Sequence, residues 1–243
     1  QIVQNNEKIA TEKTGRTGSL PFIGTGWYRT QITIPESAKD KQILLTFDGA
    51  MSNAVVYVNG IEVGRRPYGY SYFYFDISSL LQTGRENLIA VRLENHPLSS
   101  RWYPGAGLYR KVQLIVKNRS SFRHWGHYIT TPFVDGESAR VNIRSQVQGN
   151  NLSIRTIIRD ATGKIVAEDI SKERYGNEIE RNIRVRNPQL WSPETPYLYT
   201  AELQLFEADK LVDTERQRFG IRTISYTAAN GFQLNGKTMK FKG

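Results

Sequence analysis

The chain has 243 residues, a length that suits two domains of ordinary size, each able to bury a core. Hydrophobic residues make up 39% and charged residues 23%, a globular balance with no apolar run long enough to span a bilayer. Cysteine is absent, which excludes disulfides, thiolate zinc sites and cysteine nucleophiles together. The three histidines are His96, His124 and His127; two of them lie three apart in an extended stretch with no third ligand in view, so no metal or other cofactor is expected. The formal charge of +10 is shared by the two sides of Asn118, with no run of four basic residues. A nucleic-acid binder concentrates its charge in a stripe or tail, so this excess reads as a solvated basic surface.

Period-two apolar runs separated by turn residues dominate the chain, the pattern of sandwiches rather than βαβ units. Ile32 and Ile34, then Ile43 to Phe47, read as strands around the break at Pro35. Ala54 to Val58 runs into Asn59-Gly60 and resumes at Ile61, and Asn-Gly supplies the two positive φ values of a type I′ hairpin turn. Tyr70 to Phe75, Leu88 to Leu93 and Lys111 to Val116 continue the series, with one turn of helix at most over Ile77 to Leu81. Tyr68, Tyr70, Tyr72 and Tyr74 alternate, which puts them on one strand face with Phe73 and Phe75 opposite, a stripe suited to packing on a neighbouring domain, with a glycan platform as the competing role.

A second set of strands follows Arg119. Val141, Ile143, Ser145 and Val147 alternate, as do Leu152, Ile154, Thr156 and Ile158, with a turn at Gly149-Asn150. Lys164 to Ala167, Ile179 to Val185, Thr200 to Phe206 and Val212 to Phe219 complete about seven strands, the count of an immunoglobulin-like sandwich. Phe232 and Leu234 lead to a second Asn-Gly turn at Asn235-Gly236, and Thr238 to Phe241 begins another strand. Unless that strand pairs back onto Gly231 to Leu234 it is an unprotected edge, and the expectation is that a further domain follows. The fold class is therefore all-β: a sandwich over residues 1–118, an immunoglobulin-like sandwich over 119–228, and the start of a further domain over 229–243.

Six segments in order resemble glycoside hydrolase family 2. They are Gly26-Trp27-Tyr28-Arg29, Val58 to Ser78, Glu86 to Pro97, Ser100 to Arg110, Leu190 to Thr200 with Phe219 to Arg222, and Gly231 to Gly243. The first four are similar to the family's sugar-binding sandwich, the fifth to its immunoglobulin-like domain, and the last to the hairpin that opens its catalytic barrel, so the resemblance implies that residues 1–118 are jelly-roll-like and that 229–243 are the start of a missing (β/α)8 barrel. Within the family, Arg65 to Tyr70 with Ser100 to Tyr103 looks more like the β-galactosidase branch than the β-glucuronidase or β-mannosidase branches.

The resemblance implies a retaining mechanism run by two glutamates, which retention requires at roughly 5–5.5 Å separation. In a barrel enzyme such groups sit at the C-terminal ends of strands, so both are expected beyond this sequence and no residue of the chain is assigned a catalytic role. Glu62, Asp76, Glu94 and Asp135 occupy strand or turn contexts with no second carboxylate in view. What the resemblance leaves to the first sandwich is a loop over the barrel mouth, by position Asn95 to Gly107. Trp102 offers a flat face to a pyranose ring, Arg101 carries five donors, and Asn95 both donates and accepts. Packing between domains is the competing role for Arg101 and Trp102, and turn formation for Asn95.

The implied partners are a β-galactoside-type glycan met in the full-length enzyme and the missing barrel itself, with no nucleic acid and no membrane, and a homo-oligomer compatible. Gln1 stands where a leader has been removed or left out, and together with the resemblance this leads to an expectation of export to the periplasm or beyond. The rival readings are a stand-alone carbohydrate-binding module or adhesin, which would bind galactosides without the barrel, and a scaffold built from two sandwiches.

Overall fold

The computed structural model describes residues 24–96, 106–171 and 177–241. The chain divides into two compact units, Gln1–Lys117 and Asn118–Gly243. Among the described residues the structure is nearly all antiparallel strand; helix is confined to single 3-10 turns, and none is long and apolar enough to cross a membrane.

The first unit contains β1 (Gly24–Thr33), β2 (Gln42–Phe47), β3 (Ala54–Val58), β4 (Ile61–Arg66), β5 (Phe73–Asp76), β6 (Glu86–Asn95) and β7 (Val112–Lys117). They form a four-stranded sheet ordered β1-β6-β3-β4 and a three-stranded sheet ordered β5-β2-β7. Alternate residues of the two sheets meet in one core, where Ile43, Leu45 and Phe47 of β2 pack with Val56 and Val58 of β3 and with Ile89, Val91 and Leu93 of β6. Phe47 and Phe73 stack with ring centroids 4.7 Å apart.

The β3–β4 turn has the expected form, with φ of 50° at Asn59 and 83° at Gly60. Asn59 also does what no glycine could. Its Nδ2 donates to Leu80 O at 2.8 Å and to Asn87 Oδ1 at 2.9 Å, and its Oδ1 accepts from Leu88 N at 2.9 Å. Asn87, fully buried, passes the connection on to the backbone of Gln82 and Arg85. The turn residue is thereby the hub of a satisfied amide network under the 3-10 turn Ser78–Leu80.

The tyrosine stripe is corrected. The strand starts only at Phe73, so Tyr68 and Tyr70 stand in a loop and not on a pleated face. Gly69 causes the break: a Cβ there would lie 2.4 Å from Met51 Sδ, and Tyr109 Oη donates to Gly69 O at 2.9 Å. The backbone is drawn inward against Met51, which a ladder-forming strand could not permit.

The second unit contains β8 (Ser121–Val134), β9 (Ser138–Gln148), β10 (Leu152–Arg159), β11 (Ile165–Ser171), β12 (Glu178–Arg186), β13 (Tyr199–Glu207) and β14 (Lys210–Phe219). The sheets are β11-β10-β13-β14 and β12-β9-β8. These seven strands make an immunoglobulin-like sandwich, but the fourth strand, β11, pairs with the third and not with the fifth, unlike the constant-type arrangement. The terminal strand is also corrected. Lys237–Thr238 (β17) folds back across Asn235-Gly236 onto Gly231–Leu234 (β16), which pairs with Ile224–Thr227 (β15). Asn235 anchors this hairpin, its Nδ2 donating to Trp191 O at 3.0 Å and its Oδ1 accepting from Thr223 N at 3.0 Å.

The core of the second sandwich holds a charged group that alternation did not reveal. In β12 the inward phase is Ile179, Arg181, Ile183 and Val185, and Arg181 is 3% exposed. Its Nη2 donates to Ser145 Oγ at 2.7 Å and its Nη1 to Ile179 O at 3.1 Å. Ser145 Oγ also lies 2.8 Å from His127 Nδ1, and the Nε2 of that ring faces Glu215 Oε2 at 3.0 Å. A polar chain therefore runs from β12 through β9 and β8 to β14. Burial lowers the Arg181 pKa to about 10, opposed by the field of Asp169. Ser145→Ala leaves both Arg181 and His127 short of a partner and should cost about 1–3 kcal/mol, read as a lower urea midpoint at unchanged slope. Arg181→Met, apolar and of similar length, should cost less than Ser145→Ala; the reverse order would show that the guanidinium itself stabilises the fold.

Candidate functional site

The segment expected to meet sugar leaves the first sandwich after β6 and returns at Gly107. Asn95 closes β6 opposite Gly24 and is half-buried. Arg101 and Trp102 lie outside the described residues, as do Tyr103 and Gly105. Both stems of the segment are described, and two adjacent residues hold them. Ser52 exchanges backbone hydrogen bonds with Glu94 (3.3 and 2.9 Å), and Ser52 Oγ adds a third to Glu94 O at 3.0 Å. Met51 exchanges a second pair with Gly107, at 3.0 and 2.9 Å. Met51 is buried, so this clamp is rooted in the core and not in a surface loop. Gly107 has φ of +95°, and a Cβ there would sit 2.3 Å from Tyr28 Oη, so the return stem passes where only glycine fits.

Glu94 is the polar centre of this rim. Arg92 hydrogen-bonds Glu94 Oε1, and His96 Nε2 lies 2.8 Å from Glu94 Oε2. Burial pushes the Glu94 carboxyl up, but the bonds from His96 and Arg92 outweigh it and hold the pKa below the usual glutamate range. Trp27 stands opposite Arg92 on β1, 46% exposed, its ring 5.7 Å from Tyr57 and under the Arg29 guanidinium at 5.2 Å. Sequence reasoning named Asn95 but missed Glu94, His96 and the Met51-Ser52 clamp. The available signal was the alternation Arg92, Glu94, His96, which places three ionisable groups on one side of a strand end.

Six described carboxyls have a displaced pKa, those of Glu62, Asp76, Glu94, Asp135, Asp160 and Glu194. Every one with a displaced pKa is displaced downward. The Arg65 hydrogen bond does this for Glu62. For Asp76, bonds from Ser78 and Gln42 overcome the effect of burial. Asp135 accepts from the backbone N–H groups of Glu137 and Ser138, and Asp160 chiefly from Thr162. A glycosidase acid needs the opposite, a carboxyl raised toward neutral pH. The broad groove of about 820 Å³ on the second unit holds Glu202, which is buried and bound by Arg216 at 3.0 Å with Arg159 at 3.9 Å. Among the described residues no cluster of His, Asp and Glu suits a metal ion.

Two consecutive antiparallel sandwiches, the first with a clamped rim, define an all-β accessory architecture. Residues 13–118 match the family model described as the sugar binding domain of glycosyl hydrolases family 2, and residues 125–222 match that of glycosyl hydrolases family 2. The chain belongs to glycoside hydrolase family 2. It is 35% identical to a putative β-glucuronidase of Formosa agariphila over 94% of its own length and 22% of that protein. It is 36% identical to the β-galactosidase BoGH2A of Bacteroides ovatus, covering 93% of the chain and 28% of that protein. The structure of a family 2 member from Bacteroides cellulosilyticus superposes with a TM-score of 0.84 at 39% identity, over 90% of this chain and 29% of that one. The chain thus spans less than a third of each of these proteins.

Gly107→Ala should lower the stability of the first unit by about 1–3 kcal/mol, because alanine is strained at that φ and meets Tyr28; an unchanged melting curve would remove the stem from the clamp. Asp135 is one of six carboxyls whose lowered pKa contributes to stability on the acid side. A depressed folded-state pKa confers stability present above the unfolded carboxyl range and lost as pH falls through the folded value. The wild type should lose stability below about pH 4, and Asp135→Asn should show a smaller drop in urea midpoint between about pH 7 and pH 3.

Proposed function

We propose that the chain is the non-catalytic front of a retaining glycoside hydrolase that acts on β-galactosides. In this reading the first sandwich delivers the segment carrying Arg101 and Trp102, with Asn95 at its base, to the sugar pocket of a barrel that supplies both glutamates. The observation that carries the reading is the clamp: Met51 and Ser52 bind Glu94 and Gly107 and so fix both ends of that segment to a buried point. A segment anchored at both ends loses less freedom when it meets a ligand. The β-glucuronidase name of a 35% identical relative favours a second reading, that the glycan is a β-glucuronide.

Aryl β-galactosides and aryl β-glucuronides separate these readings. The 243-residue chain should release no aryl alcohol from either, and turnover by the clean chain would overturn the proposal. The whole protein encoded by the gene should favour the galactoside; preference for the glucuronide assigns the second reading. In that protein Trp102→Ala should raise KM or lower kcat without lowering Tm, and unchanged kinetics would confine Trp102 to packing.

A further inference from the structure

We propose that the outer face of the sheet β12-β9-β8 is a binding platform for an acidic polysaccharide. Because the inward phase of β9 and β12 fills the core, the outward phase faces solvent. Strand pairing assembles it into three cross-strand rows. Tyr128, Arg144 and Glu180 make the first row, Thr130, Asn142 and Asn182 the second, and Phe133, Arg140 and Arg184 the third.

The rows combine three features that a solvated sheet face does not need. The first is exposed ring area: Tyr128 is 57% and Phe133 46% exposed, at the two ends of the array. Two residues along a strand advance about 7 Å, so the rings stand roughly 14 Å apart, the reach of a few sugar units. Each ring carries a guanidinium, Arg144 at 4.9 Å from the Tyr128 centroid and Arg140 at 5.7 Å from that of Phe133. The stacking holds each fork in place for a ligand.

The second feature is an amide ladder between the rings. Asn142 Nδ2 donates to Asn182 Oδ1 at 3.1 Å and to Glu180 Oε1 at 2.6 Å, which aligns donors and acceptors as sugar hydroxyls require. The third is paired positive charge, which Asp135 offsets only weakly, since the field of Arg184 is the smallest of the influences on that carboxylate. Arg140 and Arg184 face each other directly across the strands, and like charges in that position are destabilising unless an anion joins them. The nearby Asp135 is taken up by the N–H groups of Glu137 and Ser138, at 2.8 and 2.6 Å. Arg186 lies beyond this pair on β12, while Glu178 and Glu180 stand at the Tyr128 end.

A carboxylate or sulfate on a sugar chain would bind the Arg140–Arg184 pair as a bidentate ligand. Its pyranose rings would lie along the amide ladder toward Tyr128. A single-stranded nucleic acid fits less well, since it calls for continuous positive charge where the two glutamates sit. The site is independent of the rim on the first unit and of the parent's substrate.

Immobilised polygalacturonate, dextran and single-stranded DNA test the proposal with the 243-residue chain at about 150 mM salt, where diffuse attraction is screened. Polygalacturonate should retain the chain and dextran should not. Tyr128→Ala, which keeps every charge, and Arg184→Ala should each weaken retention about tenfold. Arg155→Ala removes an equal charge from the opposite sheet and should change it less than about twofold. Circular dichroism confirms folding of each variant, and the exposure of these positions makes unfolding unexpected. Failure to bind, equal loss with Arg155→Ala, no loss with Tyr128→Ala, or equal retention on DNA would each overturn the platform.

Discussion

The first sandwich depends on one local tie. Met51 and Ser52 are neighbours in sequence, yet one binds the outgoing stem of a long connection and the other the returning stem. Because Met51 is buried, the tie transmits the rigidity of the sandwich core to the base of that connection. The glycines around it follow from the same requirement. Gly69 must let Met51 approach the backbone, and Gly107 must pass beneath Tyr28. Binding residues are commonly carried on loops over a rigid scaffold, and here the scaffold reaches both ends of the loop through two residues.

The second sandwich solves a different problem. Its core contains Arg181, whose desolvation would be prohibitive without partners. Ser145 supplies an acceptor from within an apolar strand phase and shares it with His127, which in turn faces Glu215 on the opposite sheet. The polar chain therefore crosses the sandwich at one level and gives the packing a registry that apolar side chains alone leave loose. The same alternation that drives Arg181 inward sends Arg140, Arg144 and Arg184 outward, where they gather on one face beside exposed rings.

These two arrangements bear on family membership in different ways. The matches to family 2 extend over both sandwiches, at 35–36% identity to proteins named for two different sugars. Sandwich cores tolerate exchange among apolar residues of similar volume, so identity spread over strands speaks to fold more than to substrate. Discrimination between a galactoside and a glucuronide turns on a few polar groups around two sugar carbons, C4 with its axial or equatorial hydroxyl and C6 with its hydroxymethyl or carboxylate, which strand periodicity does not encode.

Much of the fold was legible because strands obey a short rule. The apolar run Ile43 to Phe47 and the alternation in Leu152 to Ile158 placed them in cores, and Asn59-Gly60 and Asn235-Gly236 marked hairpins whose positive φ values the structure contains. The rule failed where a long-range contact overrode local pattern. The tyrosine alternation from Tyr68 to Tyr74 is interrupted by the approach of Met51 to Gly69, a contact eighteen positions away in sequence. Thr238 to Phe241 became a two-residue return strand because Asn235 is tied to Trp191 and Thr223. Of the candidate site, Asn95 could be named, but Glu94 between Arg92 and His96 gains meaning only beside Ser52.

By itself the sequence determined where most strands lie, where the tight turns fall and which side of most strands is buried, because those depend on neighbours one to four positions apart; it did not disclose the strand Ser121–Val134. Tertiary structure alone decided that β11 joins the third strand and not the fifth, that the buried Arg181 donates to Ser145, and that two adjacent residues hold both stems of one connection. The last two join groups tens of residues apart, and such pairings are chosen by packing and by the need to satisfy buried polar groups.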